Sequence, residues 1–449
     1  MDYLKKNPEL QKNIWLELSS QRLIVMPVII MAILVLVSMN SNDVSEKLRM
    51  GCHWGMVIIL VLWGSKVAHD NIINEYNERT WDWQRMCALT PKQLLIGKLF
   101  GATIYNWYGG LICFVLGLFF AAGTNNVSFS AALADGLSVL AQAISLMCVC
   151  MILALIRIQK GNGRDKLKGG MVLGVLFIYL IGSFGTFITG WVNSLNFWGT
   201  KDEVNHLNNL LENLFYAAWA LVGLHQALRK ELNYKNTSWL WYGFIISSSI
   251  VKGLSWSSLL KYEHFTSFIW VSFATHAVVL FYVLLIFEAK EITQLKILFK
   301  NIKEKNFNYL NYNAPLWLLT FPLVFISLIF LAFINLDKLS ASGFFNDTNT
   351  SDFIYGTIIS TAMFIIRDFA LMLLLSIGSK NKRVEAAFIL YLFLLYYVAP
   401  MLTFDNEFLV CFFRPSATMS YLGFLCPAVE AAILFFMIKE QKNWKQLVG

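Results

Sequence analysis

Long apolar blocks, separated by short polar and basic stretches, dominate this chain. Residues 23–37 contain no polar side chain. A helix that rises 1.5 Å per residue needs about 20 mostly apolar residues to cross about 30 Å of hydrocarbon. Because backbone N–H and C=O groups find no water in lipid, such blocks are predicted to be helical. The pattern predicts twelve spans, at residues 22–38, 50–70, 95–121, 133–156, 169–192, 208–228, 238–258, 265–287, 315–335, 353–377, 384–404 and 416–438.

The distribution of lysine and arginine orients these spans. Positively charged residues favour the cytoplasmic loops of membrane proteins. With the N-terminus inside, 27 of the 36 Lys and Arg fall in inside segments, six fall outside and three fall within spans. Both termini are therefore predicted to be cytoplasmic, and most of the net charge of +8 serves orientation. The excess of lysine and arginine over acidic residues therefore gives no reason to expect a nucleic-acid partner.

Composition supports the same class of protein. Of the 449 residues, 57% are apolar and 14% are charged, against about 45–50% and about 25% in soluble domains. These values exclude a cytosolic enzyme, a disulfide-rich secreted protein and a disordered regulator. The first apolar run lacks a small-residue cleavage site, so it is predicted to be a retained span. No C-x-x-C pair or metal-binding histidine spacing occurs, so no metal or cofactor is predicted.

The predicted fold class is all-α, a polytopic membrane protein of about twelve transmembrane helices in two six-helix halves. In each half the longest predicted cytoplasmic loop, 71–94 or 288–314, follows the second span and ends at a proline that opens the third. Proline suits the first turn of a helix, where its missing N–H is not needed. The predicted division is a first half at 1–228 with an N-terminal amphipathic helix, a linker at 229–237 and a second half at 238–449.

Helix-start signals mark the N-terminus and the third span. Asn7 can cap a helix whose first position is Pro8, and residues 7–20 are predicted to lie on the membrane surface. Thr90 and Gln93 have the spacing of a capping box. The small residues of Gly97-x-x-x-Gly101, which follow that box, predict a close approach between helices.

The loop 71–94 is predicted to form an amphipathic helix. At 100° per residue, one face packs on the spans and carries Ile72, Tyr76, Trp83, Met86 and Cys87. The opposite face is predicted to expose Glu75, Glu78, Trp81, Asp82 and Arg85 to the cytoplasm. Tryptophan and arginine are enriched in the hot spots of protein interfaces, which makes this face a candidate docking surface. The alternative is an ordinary loop helix with a solvated face.

The stretch from Glu75 to Gly101 resembles the loop between the second and third spans of ABC-2 type transporter permeases. In that family an acidic loop and helix precede a phrase like the Leu-Thr-Pro…Gly-Lys-Leu that opens the third span here. The close motif covers about 30 residues, and the topology extends the resemblance over the chain. The second half keeps the same order of spans and loops but not the sequence motif, because Leu-Trp-Leu, and not Gly-Lys-Leu, follows Pro315. The resemblance therefore suggests a fused pair of permease units.

The resemblance implies export of a substrate, driven by separate ABC ATP-binding subunits that dock on coupling helices. The partners it implies are those subunits, membrane lipids and a transported substrate. The location it implies is the inner cell membrane of a bacterium. No phosphate-binding G-x-x-x-x-G-K-[ST] loop or ABC signature occurs in the chain, so it is not predicted to be an ATPase. The residues proposed for coupling are Glu75, Glu78, Trp81, Asp82 and Arg85 in the first half and Glu288, Glu291 and Lys296 in the second.

Charged residues within spans are a second candidate site, because they cost several kcal/mol unless they are paired or hydrated. Arg367 and Asp368 fall near the middle of the tenth span, and Glu430 falls at a similar depth in the twelfth. Adjacent helical residues do not face each other, so Arg367 is predicted to pair with Glu430 rather than with Asp368. Such a pair either ties the two helices statically or lines a pathway.

Two other functions fit parts of the pattern. An ion-gradient-driven secondary transporter of 6+6 architecture also has twelve spans and inside termini, although such proteins usually carry a long central cytoplasmic loop. A membrane-embedded enzyme acting on lipid would use Asp368 or Glu430, but no clustered constellation supports it. The family resemblance implies that the direction of transport is export.

Overall fold

The computed structural model describes most of the chain, and all of its regular secondary structure there is helical. The described residues are 7–39, 43–87, 89–124, 127–160, 203–236, 239–260, 265–288, 292–306, 312, 314–332, 350–378, 384–402, 412–413 and 422–441. The predicted fifth span, 169–192, and Glu291 lie outside them. The chain divides into two compact units, at residues 1–236 and 237–449.

The first unit begins with two capped helices. Asn7 accepts hydrogen bonds from the backbone N–H groups of Glu9 and Leu10, with Pro8 at the first helical position, as predicted. Thr90 and Gln93 form the predicted capping box. The helices of this unit are α1 (Pro8–Glu17), α2 (Ser20–Ser38), α3 (Val44–Asn77), α4 (Thr80–Met86), α5 (Pro91–Ile96), α6 (Ile104–Ala122), α7 (Phe129–Lys160) and α8 (Glu203–Glu231).

Two π-helical segments occur among the described residues of the first unit. One, Val57–Gly64, lies within α3, and the other, Gly97–Gly101, joins α5 to α6. The wider turn of a π segment disturbs the regular backbone ladder, and such segments are frequent at functional sites. The amide of Asn106 donates to the carbonyl of Ile59 (3.0 Å), which satisfies one polar group of the first segment. The core of the unit packs around this segment, where Leu60 and Met147 are fully buried.

The second unit has the same all-helical character. Its core forms around Phe281, Val324 and Phe388, which are fully buried. A third π segment, Leu394–Val398, follows the helix Val384–Phe393. The helices of this unit are α9 (Trp239–Leu260), α10 (Phe265–Phe287), α11 (Ile292–Lys303), α12 (Leu316–Ala332), α13 (Thr350–Gly378), α14 (Val384–Phe393), α15 (Ala399–Leu402) and α16 (Leu422–Glu440).

Six helices among the described residues are long and apolar enough to cross a membrane, which supports a membrane protein. They are Ser20–Ser38, Val44–Asn77, Ile104–Ala122, Phe129–Gln159, Ile269–Phe287 and Ile358–Ser376. Two shorter apolar helices, Leu316–Ala332 and Ala386–Leu402, fall on the predicted ninth and eleventh spans. The other predicted spans within the described residues also fall on helices. The total of twelve stays a prediction.

Candidate functional site

A buried lysine joins two carboxylates in the first unit. The Lys98 side chain is completely buried, and its Nζ lies 2.9 Å from Glu9 Oε1 and 2.5 Å from Glu75 Oε2. Lys12, which is half exposed, lies 4.0 Å from both carboxylates. A buried ammonium needs such partners, because an isolated buried charge is very unfavourable. This Lys98 cluster therefore ties α1 and α3 to the π segment that carries the lysine.

Two glycines allow α1 to reach Lys98. A Cβ atom at Gly97 would lie 2.7 Å from side-chain carbons of Glu9, and one at Gly101 would lie 3.0 Å from the Cβ of Asn13. The amide of Asn13 also donates to the carbonyl of Gly97 (3.1 Å). The predicted role of the Gly97-x-x-x-Gly101 motif in close helix packing is thus confirmed. The polar face of α1 makes this contact, while Trp15 is 88% exposed.

Helix α4 is held against the same cluster by Trp81. Lys98 Nζ lies 5.7 Å from the centroid of the Trp81 ring, within the range of a cation–π contact. The indole N–H of Trp81 donates to Glu231 Oε1 (3.4 Å), and Arg85 lies 3.6 Å from the same oxygen. Gln159 donates to the other oxygen of Glu231 (3.1 Å). Buried Glu231, at the end of α8, is therefore the anchor of α4.

The exposed face of α4 differs from the predicted one. Trp81 and Glu75, predicted to be exposed, are 2% and 8% exposed, whereas Trp83 and Met86, predicted to pack on the spans, are 73% and 82% exposed. The prediction was wrong for Trp81, Trp83 and Met86 because it carried one helical phase through Arg79. That residue has a left-handed backbone (φ 62°) and ends α3 before α4 begins. The prediction was wrong for Glu75 because that carboxylate pairs with buried Lys98. Glu78, Asp82 and Arg85 are exposed as predicted.

The coupling residues predicted in the second unit have different surroundings. Both carboxylate oxygens of Glu288 accept hydrogen bonds (3.0 Å each) from the backbone N–H groups of Leu316 and Trp317. Glu288 therefore caps the start of α12, where unpaired N–H groups and the helix dipole favour a carboxylate. Lys296 is exposed on α11. Glu291 lies in the part of the chain that the structure does not describe.

A second buried cluster occupies the middle of α13. Arg367 Nη1 lies 3.1 Å from Glu430 Oε2 on α16, so the predicted ion pair is present. The same nitrogen donates to the carbonyl of Phe412 (3.1 Å). The guanidinium carbon lies 4.5 Å from the Phe364 ring centroid and 5.2 Å from that of Tyr396. Arg367 is 2% exposed, so these contacts replace its hydration.

Asp368 also pairs with Arg367, contrary to the prediction. Arg367 Nε and Nη2 donate to Asp368 Oδ1 at 3.0 and 2.9 Å, because the long arginine side chain folds back onto its neighbour. The hydroxyls of Tyr282 and Tyr396 donate to Asp368 Oδ2 at 2.6 and 2.7 Å. The sequence reasoning missed both tyrosines, because nothing in their local pattern distinguishes them from core aromatics. We call Arg367, Asp368, Glu430 and the two tyrosines the Arg367 cluster.

Neither cluster has the composition of a metal site. No group of three or more His, Cys, Asp and Glu side chains within the described ranges is arranged to hold a metal ion. The Lys98 cluster joins α1 and α3 to the π segment, and the Arg367 cluster joins α13 to α16. No protein-family model, curated protein or solved structure matches this chain.

Proposed function

We propose that this chain is the membrane-spanning permease subunit of an ABC-2 type transporter, in which separate ATPase subunits drive export of a substrate. The observation that carries the proposal is the two-sided character of α4. Its outer side presents Trp83 and Met86 together with charged residues, while Trp81 fixes its inner side to Lys98 and Glu231. An exposed aromatic anchor beside an arginine suits a protein interface.

The same arrangement supplies a mechanism. A partner that binds the outer side of α4 would push on Trp81, and Trp81 contacts groups on the π segment and on α8. The Lys98 cluster extends this path to α1 and α3 through two ion pairs. Because close-packed interiors transmit displacement, a docking event at α4 would move several helices together. The chain itself lacks an ATP-binding loop, so the energy would come from the partner.

The proposed architecture is twelve spans in two halves, with both termini in the cytoplasm of a bacterial cell. The division of the chain at residue 236 supports this organisation, because it falls within the predicted linker 229–237. In this proposal the exposed face of α4 carries the docking role, and buried Trp81 and Glu75 do not. In the second half, exposed Lys296 keeps a docking role in this proposal, whereas Glu288 has the structural role of a helix cap.

The test is purification of the tagged full chain from its native membrane, followed by measurement of bound ATPase activity and ATP-dependent export. Trp83→Ala with Met86→Ala should remove the ATPase activity from the purified complex. The matched control is Tyr234→Ala, which removes another exposed aromatic (53%) of the first unit. Trp81→Ala should retain the bound ATPase but uncouple export, because buried Trp81 holds α4 to Glu231 and Lys98 and lies away from the docking face. Full ATPase binding by the Trp83/Met86 variant would refute the docking role.

A gradient-driven secondary transporter is the second candidate, because the Arg367 cluster buries charge within a predicted span. Such charges commonly mark ion or substrate pathways. The purified chain alone, reconstituted in vesicles, would then respond to an imposed proton gradient without ATP. Transport by the chain alone would favour this candidate over the ABC-2 proposal.

A further inference from the structure

The Arg367 cluster contains one positive charge and two carboxylates. Asp368 accepts four hydrogen bonds, two from Arg367 and two from the tyrosine hydroxyls, and it is completely buried. Asp368 thus engages the Nε and Nη2 groups of Arg367, and within the described residues the cationic partner of Glu430 is the remaining nitrogen, Nη1, of the same guanidinium.

Glu430 is also the accessible member of the cluster. Its side chain is 29% exposed, against 2% for Arg367 and complete burial for Asp368. Its hydrogen bond comes from Arg367 Nη1, which it shares with the carbonyl of Phe412. The charged groups that face Glu430 within the described residues are Arg367, which attracts it, and Asp368, which repels it. No second cation offsets that repulsion in this part of the chain.

We propose that Glu430 is a reversible proton-binding site and that its protonation releases α16 from α13. A proton from water would add to the carboxylate and bring the three charges to neutrality. The strong charge-assisted bond from Arg367 would become a weaker bond to a neutral group. Arg367 would keep Asp368 and the Phe412 carbonyl as partners, so the guanidinium would stay in place while α16 moves.

The proposal rests on the second unit alone, so its success or failure is independent of ATPase docking. Infrared difference spectroscopy of the purified full chain, titrated from neutral to acidic pH, detects the C=O stretch of a protonated carboxyl group. The wild type should show a band that is absent from Glu430→Gln and retained in Glu430→Asp. The matched control, Glu440→Gln, removes an exposed carboxylate of the same helix and should keep the band.

Cys426, one turn before Glu430 and 6% exposed, reports release of the helix. Because glutamine imitates the protonated carboxyl group, Glu430→Gln should raise thiol labelling of Cys426 several-fold at fixed pH, as measured by peptide mass spectrometry. Glu440→Gln should leave the labelling at the wild-type level. If every band that titrates in the wild type is also present in Glu430→Gln, the proton site is overturned. Unchanged labelling of Cys426 would overturn the release of α16.

Discussion

Replacing Lys98 by methionine tests whether the Lys98 cluster is held together by charge. Methionine keeps the unbranched chain but removes the ammonium, which leaves two buried carboxylates facing each other. Both carboxylates contact the same nitrogen, at 2.9 and 2.5 Å, so they lie within about 5 Å of each other. At an effective dielectric constant of about 20, two unit charges about 5 Å apart repel by about 3 kcal/mol. Removal of one partner of a buried ion pair typically costs about 3–5 kcal/mol.

We therefore expect Lys98→Met to lower the free energy of unfolding by about 3 kcal/mol or more. The assay is denaturant-induced unfolding of the purified chain in detergent, followed by tryptophan fluorescence. Lys12→Met is the matched control, because Lys12 lies near the same two carboxylates (4.0 Å) but is half exposed. A half-exposed pair of this kind contributes about 0–1 kcal/mol.

A rescue experiment separates charge from packing. Adding Glu9→Gln and Glu75→Gln to Lys98→Met removes the unpaired negative charges and should recover most of the lost stability. If packing of the lysine stem were the main contribution, the added substitutions would recover nothing. An effect of Lys98→Met no larger than that of Lys12→Met would refute the reasoning.

Two further substitutions test contacts that position the clusters. Gly97→Ala should destabilise the chain by about 1–3 kcal/mol, because overpacked cores respond in this range, and the new Cβ would lie 2.7 Å from Glu9. Limited proteolysis at α1 should rise in that variant and not in Gly117→Ala, where the contact is an ordinary 3.4 Å. Glu288→Ala should cost about 0.5–2 kcal/mol, the usual range for a lost helix cap, measured by thermal unfolding. An unchanged midpoint would contradict the capping role.

Local signals in the sequence predicted local structure well. The Asn7 and Thr90 caps were confirmed because a cap depends on residues within one turn of each other. The Gly97-x-x-x-Gly101 motif was confirmed as a packing surface, but its partner was not predictable. Helix α1 presents Glu9 and Asn13 to it, which depends on tertiary placement. Sequence position alone therefore indicated where helices approach, and not which residues meet.

The faces of α4 show where periodicity fails. A helical wheel assumes one continuous phase, and a single left-handed residue at Arg79 resets it. Arginine is not a typical left-handed residue, so the local sequence offered no warning. Across this break between α3 and α4, the Thr80 hydroxyl donates a hydrogen bond to the carbonyl of Glu75 (3.1 Å). The error exchanged buried Trp81 with exposed Trp83 and Met86, whereas Asp82 and Arg85 are exposed as predicted.

The two clusters differ in how deeply their charged side chains are buried. Lys98 is fully buried between carboxylates that are themselves nearly buried, so a change in its charge would strain three elements at once. The Arg367 cluster has a saturated inner carboxylate and an outer one that is partly exposed. Burial makes the first arrangement suited to transmit movement, and accessibility makes the second suited to respond to its surroundings. Sequence reasoning identified the charged residues of the second cluster. It could not show which of the two carboxylates is saturated, because that depends on how many hydrogen bonds each one accepts.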